Sequence, residues 1–161
     1  MKNMQLRDLF IQKINALYDI ENVLVKALPK MAKAASNEEL KMGFTSHLEE
    51  TQNHVKRLEQ ICQILDVAPK KLKAEGIRGI VADGEWVIDH IEPENALDAS
   101  LARAAQYAEH YEMAGYMAAI SWADMLEETE ISNLLQETLA EEKAADEKLD
   151  MVGKQLDQSL L

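Results

Sequence analysis

The segment 40-LKMGFTSHLEETQNHVKRLEQICQIL-65 has a strongly helical pattern of apolar residues. Its core positions recur at alternating steps of four and three residues, the spacing of one face of an α-helix. Polar residues interrupt this face near its middle. The segment therefore predicts a long amphipathic helix whose buried face carries ionisable groups. The face consists of Leu40, Phe44, His47, Thr51, His54, Leu58, Ile61 and Leu65.

Three further segments repeat this helical pattern, which we call the apolar stripe of each helix. They run from Phe10 to Met31, from Leu97 to Trp122 and from Ile131 to Leu156. The sequence contains only 6 glycines and 3 prolines, so long uninterrupted helices can form. The pattern therefore predicts four long helices, with a short turn at residues 127–130 before the last one.

The boundaries of these segments indicate how the helices are connected. Ser36 followed by Glu39 is a capping-box signature, which predicts that the second helix begins near Asn37. The stretch from Pro69 to Glu94 is rich in glycine and branched apolar residues, which indicates a long crossover carrying a short helix. A third long helix is expected to start near Pro93 or Glu94. The sequence thus predicts an all-α, ferritin-like antiparallel four-helix bundle, with residues 1–161 as one domain.

Composition excludes several classes of function. The formal net charge of -12 argues against nucleic acids and anionic membranes as partners, because their phosphates would be repelled. Cys62 is the single cysteine, which excludes an intramolecular disulfide and a thiolate metal cage. Residues 1–4 lead into the first stripe without a signal-peptide core, and no apolar run approaches the roughly 20 residues of a membrane span. We therefore expect a cytoplasmic protein.

Charged residues inside the apolar stripes are the most informative feature. Glu21, Glu112 and Glu142 occupy stripe positions in the first, third and fourth helices, as the two histidines do in the second. An uncompensated charge in a core is very unfavourable, and a single such residue usually reaches solvent at the edge of its stripe. Because all four helices share the violation near mid-length, one shared compensator is more economical. A pair of divalent metal ions is such a compensator.

The known dimetal layout of ferritin-like bundles takes one Glu from each of two helices, and a Glu and a His from each of the other two. Here the second helix offers a Glu and His four residues apart, whereas the usual spacing is three, and the fourth helix offers no histidine. This oxygen-rich set favours two iron or manganese ions, with zinc as an opportunistic occupant. The candidate ligands are Glu21, His47, Glu50, His54, Glu109, Glu112, Glu142 and Asp146.

Several of these positions have another reading. His54 can be a core histidine satisfied by hydrogen bonds, and Asp146 can be exposed because Ala145 holds the stripe position. His110 fits a place beside the ligands, at the surface or in an interface. The tyrosines at 107, 111 and 116 are interpreted as packing residues rather than redox relays.

A weak internal repeat relates the two halves of the chain. A shift of 91 residues places Glu21 on Glu112 and Glu50 on Glu141. A shift of 92 instead places Glu50 on Glu142. Such a repeat is what two helix hairpins related by pseudo-symmetry would leave.

Motifs in the four helices resemble the YciE/YciF-type ferritin-like proteins. These motifs are 47-HLEET-51, 109-EHYE-112 and 141-EEKAADEKL-149, together with 17-LYDIE-21 and 26-KALPKM-31 in the first helix. The resemblance covers nearly the whole chain. It implies a metal pair bound by Glu21, Glu50, Glu109, Glu112, Glu142 and Asp146. It also raises His47 over His54 as the histidine ligand, because relatives can carry glutamine at the latter position.

The resemblance further implies a homodimer and a link to bacterial stress responses. Our leading hypothesis is a di-iron or di-manganese protein that reacts with oxygen or peroxide, or that handles metal during stress. The alternative is a non-catalytic stress or interaction protein with no obligatory metal. Ferritin-like storage would require a hollow multi-subunit shell, for which the sequence gives no indication.

Overall fold

The computed structural model describes residues 5–161, so the prediction of no signal-peptide core at residues 1–4 lies outside it. Within the described residues the chain forms five helices and no strand. The helices are α1 (Leu6–Ala34), α2 (Glu38–Ile64), α3 (Glu75–His90), α4 (Glu94–Met125) and α5 (Thr129–Gln158). Four long helices and a short helix in the crossover confirm the predicted all-α class. None of these five helices is long and apolar enough to cross a bilayer.

The four long helices form a closed ring of neighbours. α1 packs against α2, α2 against α5, α5 against α4, and α4 against α1, while α3 covers α1 and α4 from outside. Contacts between α1 and α4 run in opposite directions along the two helices: Asp98 reaches Ser36, whereas Gly115 lies against Leu17. These helices are therefore antiparallel.

The apolar stripes meet in one core along the axis of this ring. Burying each large apolar side chain contributes roughly 1.5–3 kcal/mol, so the stripes fix the rotation of every helix about its own axis. Polar residues at stripe positions are therefore buried in the core together with the apolar side chains. The fully buried apolar side chains of the long helices include Phe10, Ile14, Leu17, Leu40, Phe44, Leu58, Ile61, Leu101, Ile131 and Leu135.

The start of α2 differs in detail from the prediction. Asn37 rather than Ser36 is the N-cap, and its side-chain oxygen accepts a hydrogen bond from the Leu40 amide at 2.9 Å. The backbone amides of Ser36 and Asn37 donate instead to the buried carboxylate of Asp98 on α4, at 2.8 and 2.7 Å. A carboxylate is a stronger acceptor than a hydroxyl, so a tertiary contact replaces the local capping box.

A buried carboxylate on α1 also fixes the crossover. Asp19 accepts hydrogen bonds from the Ala74 amide at 2.9 Å and from both terminal nitrogens of Arg78 at 2.6 and 3.1 Å. The hydrogen bonds from Arg78 outweigh the effect of burial and hold the pKa of Asp19 below its usual value. Asp19 therefore ties the start of α3 to the bundle.

Replacing this carboxylate tests its role. Asp19→Asn should lower the free energy of unfolding by about 2 kcal/mol at pH 7, because the half-buried donors Ala74 and Arg78 lose a charged acceptor. A carboxyl with a depressed pKa in the folded state stabilises the fold above its unfolded pKa of about 4. This contribution is lost as the pH falls through the folded pKa, so the difference from wild type should shrink below about pH 4.

Urea unfolding followed by circular dichroism at several pH values measures this difference. Asp83→Asn is the control, because Asp83 is exposed on α3 and forms no ion pair or side-chain hydrogen bond within residues 5–161. The control should unfold like wild type. A difference for Asp19→Asn that is unchanged at pH 3 would contradict the role of the ionised carboxylate.

Candidate metal centre

Six ionisable side chains from the four long helices converge at the middle of the bundle, and each is at most 7% exposed. Their potential ligand atoms form two groups, within each of which all the atoms lie within 4.8 Å of one another. Glu142 of α5 belongs to both groups. The first group is His47, Glu109, Glu112 and Glu142, and the second is Glu21, His54 and Glu142.

Helix periodicity explains why these residues meet. His47 and His54 are seven residues apart, which is two turns along one face of α2. Glu109 and Glu112 are three residues apart and share a face of α4. When the apolar stripes pack together, these helix faces are oriented toward the interior of the bundle.

The polar atoms of this cluster lack partners. Within residues 5–161, eight buried side-chain nitrogen and oxygen atoms have no hydrogen bond, and all eight belong to these six residues. They include both carboxylate oxygens of Glu112 and of Glu142. Buried polar groups are nearly always hydrogen-bonded in native proteins. The cluster therefore needs a compensator that its own side chains do not provide.

Short distances in the cluster do not provide that compensation. Nε2 of His47 lies 3.0 Å from Oε1 of Glu109, and Nδ1 of His54 lies 3.0 Å from Oε1 of Glu142. Neither nitrogen has a hydrogen-bond partner despite these short separations. Each histidine instead contributes a nitrogen to the group that it forms with the carboxylates.

The ring nitrogen of each histidine that lies away from the cluster contacts a carboxylate that belongs to neither group. Nδ1 of His47 lies 3.2 Å from Oε2 of Glu50, and Nε2 of His54 lies 2.7 Å from Oε2 of Glu141. A proton on the outer nitrogen leaves the inner nitrogen as a lone-pair donor, which is how metal-binding histidines are usually oriented. Arg57 fixes Glu141 in turn with bonds of 2.9 and 3.2 Å.

Tyr116 is the other polar residue at the centre. It is fully buried on α4 and its hydroxyl donates a hydrogen bond to Oε1 of Glu21. Burial and the charge of Glu21 raise its pKa well above the usual value. The interpretation of the tyrosines as packing residues is therefore incomplete for Tyr116 and wrong for Tyr107, whose side chain is exposed.

The cluster has strongly shifted protonation equilibria. Burial raises the pKa of Glu112 well above its usual value, and repulsion from Glu142 and Glu21 adds to the shift. Burial likewise raises the pKa of Glu142 to about 7 despite the attraction of His54. Burial also acts to lower the pKa of His54, but Glu142 and Glu21 outweigh it and raise that pKa to about 10. Without a cation, the carboxylates thus share protons among themselves and with the histidines.

Two predicted ligands lie apart from both groups. Glu50 is a partly exposed residue on the outer side of His47. Asp146 accepts a hydrogen bond from Gln106 and lies 3.2 Å from Nε2 of His110, whose side chain is 65% exposed. The sequence analysis missed Glu141 and Arg57, although the 91-residue shift that aligns Glu50 with Glu141 pointed to the former.

Comparison with known proteins places this geometry in a family. The family described as a domain of unknown function, DUF892, matches residues 5–160. The chain belongs to the DUF892 family. Protein YciF of Escherichia coli (strain K12) is 38% identical to this DUF892 protein over 145 residues, which cover 89% of the chain and 87% of YciF. The resemblance to YciE/YciF-type proteins is confirmed.

Solved structures resemble this DUF892 protein over most of its length. The E. coli stress protein YciF matches with a TM-score of 0.93 and 36% identity, over 98% of this chain and 99% of that one. YcfI of Rhodopseudomonas palustris, described as a candidate structural protein, matches with a TM-score of 0.90 and 37% identity, over 92% and 96% of the two chains.

A more distant match concerns the fold alone. A structure of ferritin like, diiron-carboxylate proteins from Bacillus anthracis str. Ames has a TM-score of 0.70 at 19% identity, over 94% of this chain and 99% of that one. The predicted ferritin-like bundle is thereby confirmed for this DUF892 protein.

The unpartnered carboxylates predict a cost in stability. When a chelator keeps the protein metal-free, Glu112→Gln should raise the free energy of unfolding by about 2 kcal/mol at pH 7. The reason is that a carboxyl whose pKa is raised by folding destabilises the fold increasingly as the pH rises above its unfolded value. The gain should therefore vanish near pH 4, about the unfolded pKa of Glu.

Urea unfolding at pH 4, 6 and 7 measures this effect. Glu147→Gln on the exposed face of α5 is the matched control and should leave the stability unchanged at every pH. A Glu112→Gln variant less stable than wild type at pH 7 would show that the carboxylate has a partner in the folded protein.

Proposed function

We propose that this protein binds a pair of divalent metal ions, iron or manganese first, between the four long helices. The observation that carries the proposal is the set of eight unpartnered buried polar atoms, all within one cluster of four glutamates and two histidines. Four glutamates and two histidines are also the inventory of the known ferritin-like dimetal layout. The distribution differs, because both histidines lie on α2 and two glutamates lie on α4.

The charge of the cluster supports this assignment. Four ionised glutamates with two neutral histidines carry a charge of -4, which two divalent cations would cancel. Hard carboxylate oxygens with a minority of imidazole nitrogens suit iron and manganese. Because Glu142 belongs to both groups, we assign it as the ligand shared by the two metal ions. Each of the other five residues would bind only the ion of its own group.

The roles of the surrounding residues follow from their contacts. Glu50 and Glu141 orient the two histidines by holding their outer nitrogens. Tyr116 holds one oxygen of Glu21 and leaves the other free to act as a ligand. When bound, an iron or manganese pair supplies Lewis acidity and one-electron redox chemistry.

We infer a role in redox chemistry or metal handling during stress. The description of YciF as a stress protein supports the stress context. Reaction with oxygen or peroxide, the homodimer and the cytoplasmic location stay predictions. The alternative, a structural or interaction protein with no obligatory metal, draws support from the description of YcfI. The metal content of the purified protein separates the two.

Metal content should depend on the shared glutamate. Untagged wild-type protein, loaded anaerobically with iron, should contain about two metal ions per chain by plasma mass spectrometry. Glu142→Gln should lose most of this metal, because both groups lose a charged ligand. Glu50→Gln should keep the sites but weaken binding by roughly 10–100-fold, the usual effect of removing a carboxylate behind a histidine ligand.

Glu147→Gln again serves as the control and should match wild type. Little metal in the wild type after anaerobic loading would contradict the proposal and favour the structural alternative. Equal loss of metal in Glu50→Gln and Glu142→Gln at saturating metal would instead make Glu50 a ligand itself.

A further inference from the structure

A cavity of about 140 Å³ lies beside the first group of the candidate metal centre. Buried apolar side chains from all four long helices line it, among them Leu28, Phe44, Ala105 and Val152. His47 and Glu109 also line it, and each carries a buried polar atom without a hydrogen bond. The cavity is thus an apolar space with unsatisfied polar atoms at one end.

The register of the helices places the polar end toward the centre of the bundle. Along α2 the cavity runs from Glu39 to Glu50, and along α4 it runs from Ala105 to Glu109. His47 and Glu109 therefore mark the end next to the candidate metal centre. Leu28 and Val152 lie at the other end. A molecule in this cavity would present one end to the ligand atoms and bury the remainder among apolar side chains.

Gly43 gives the cavity an opening to solvent. This exposed glycine lies within α2 and lines the cavity, and a Cβ atom added to it would meet nothing within 4 Å. Glycine inside a helix costs about 1 kcal/mol relative to alanine. No packing contact of the described chain requires that cost. The absence of a side chain at this position does, however, keep the mouth of the cavity open.

Size and charge define the class of ligand. An engineered apolar cavity of about 150 Å³ in another protein binds benzene, so a single ring of about six to eight non-hydrogen atoms fits here. Glu39, Glu50 and Glu109 line the cavity against one lysine, Lys148, so an organic anion is disfavoured. In metal-free protein a hydroxyl or carbonyl group on the ligand would pair with the unpartnered atoms of His47 and Glu109, and in metal-loaded protein it would face the ion that these residues hold.

We propose that this cavity is a binding site for a small uncharged organic molecule, an aromatic ring or short chain bearing one hydroxyl or carbonyl group. The molecule would lie with its polar end at His47 and Glu109. This assignment extends the proposed function. It rests on that function only in placing a metal ion next to the polar end of the molecule. It makes a small apolar organic compound, rather than a large or charged one, the substrate class of the centre.

Binding of 4-fluorophenol, followed by fluorine NMR, tests the cavity in metal-free protein. We expect saturable binding to the wild type, and an affinity at least about tenfold lower for Gly43→Leu, whose side chain would occupy the mouth. Gly79→Leu is the matched control and should bind like wild type. Gly79 also lies within a helix, has no atom within 4 Å of its Cβ position and is absent from the cavity lining.

The charge of the ligand is tested with 4-fluorobenzoate, which should bind metal-free protein at least about tenfold more weakly than the phenol, because carboxylates line the cavity. The proposal is overturned by absence of saturable phenol binding, by equal affinity of the Gly43→Leu variant, or by benzoate binding as tightly as the phenol.

A second measurement separates this proposal from the metal assignment. In protein loaded with Mn²⁺, the fluorine signal of bound 4-fluorophenol should broaden strongly relative to protein loaded with Zn²⁺, since the ligand would lie beside a paramagnetic ion. Saturable binding to protein that takes up neither ion would support the cavity and contradict the proposed function. Bound Mn²⁺ without such broadening would contradict the position of the cavity ligand.

Discussion

Four glutamate carboxylates are buried together in the low-dielectric core of a helical bundle, and the packing of the helices is organised around them. Each of these glutamates occupies a place that packing alone would give to an apolar side chain. In the metal-free protein, protonation is the available way to reduce their charge, and the raised pKa values of Glu112 and Glu142 express this. The cluster of unsatisfied oxygen and nitrogen atoms therefore lowers the stability of the metal-free fold.

The remainder of the fold positions these carboxylates and histidines. Apolar stripes on four sides fix the helix rotations that aim the donors inward. Buried aspartates make the connections rigid: Asp98 holds the start of α2 and Asp19 holds the start of α3. Both accept hydrogen bonds from backbone amides that precede a helix. The chain therefore uses buried carboxylates in two opposite ways, as satisfied anchors near the helix ends and as unsatisfied donors at the centre.

Sequence periodicity could predict the fold because four long stripes leave few other architectures. It also identified Glu21, Glu112 and Glu142, which occupy stripe positions in their helices. It could not place Glu50 and Glu141, because both lie at the edge of a stripe, where a small rotation of α2 or α5 decides whether a carboxylate enters the core or contacts the outer side of a histidine. The capping of α2 was also beyond local pattern, since its acceptor, Asp98, comes from a helix 61 residues further along the chain.

The two groups around Glu142 are unequal in charge, and this inequality would set the order in which the proposed metal ions bind. One group offers three carboxylates and a histidine, the other two carboxylates and a histidine. For the proposed metal pair, electrostatic attraction would favour the first ion at the more anionic group, and the charge of that ion would then lower the attraction that the shared glutamate offers to the second. The proposed metal pair would therefore bind stepwise, and half-filled protein would be a distinct chemical species with its own potential and ligand exchange.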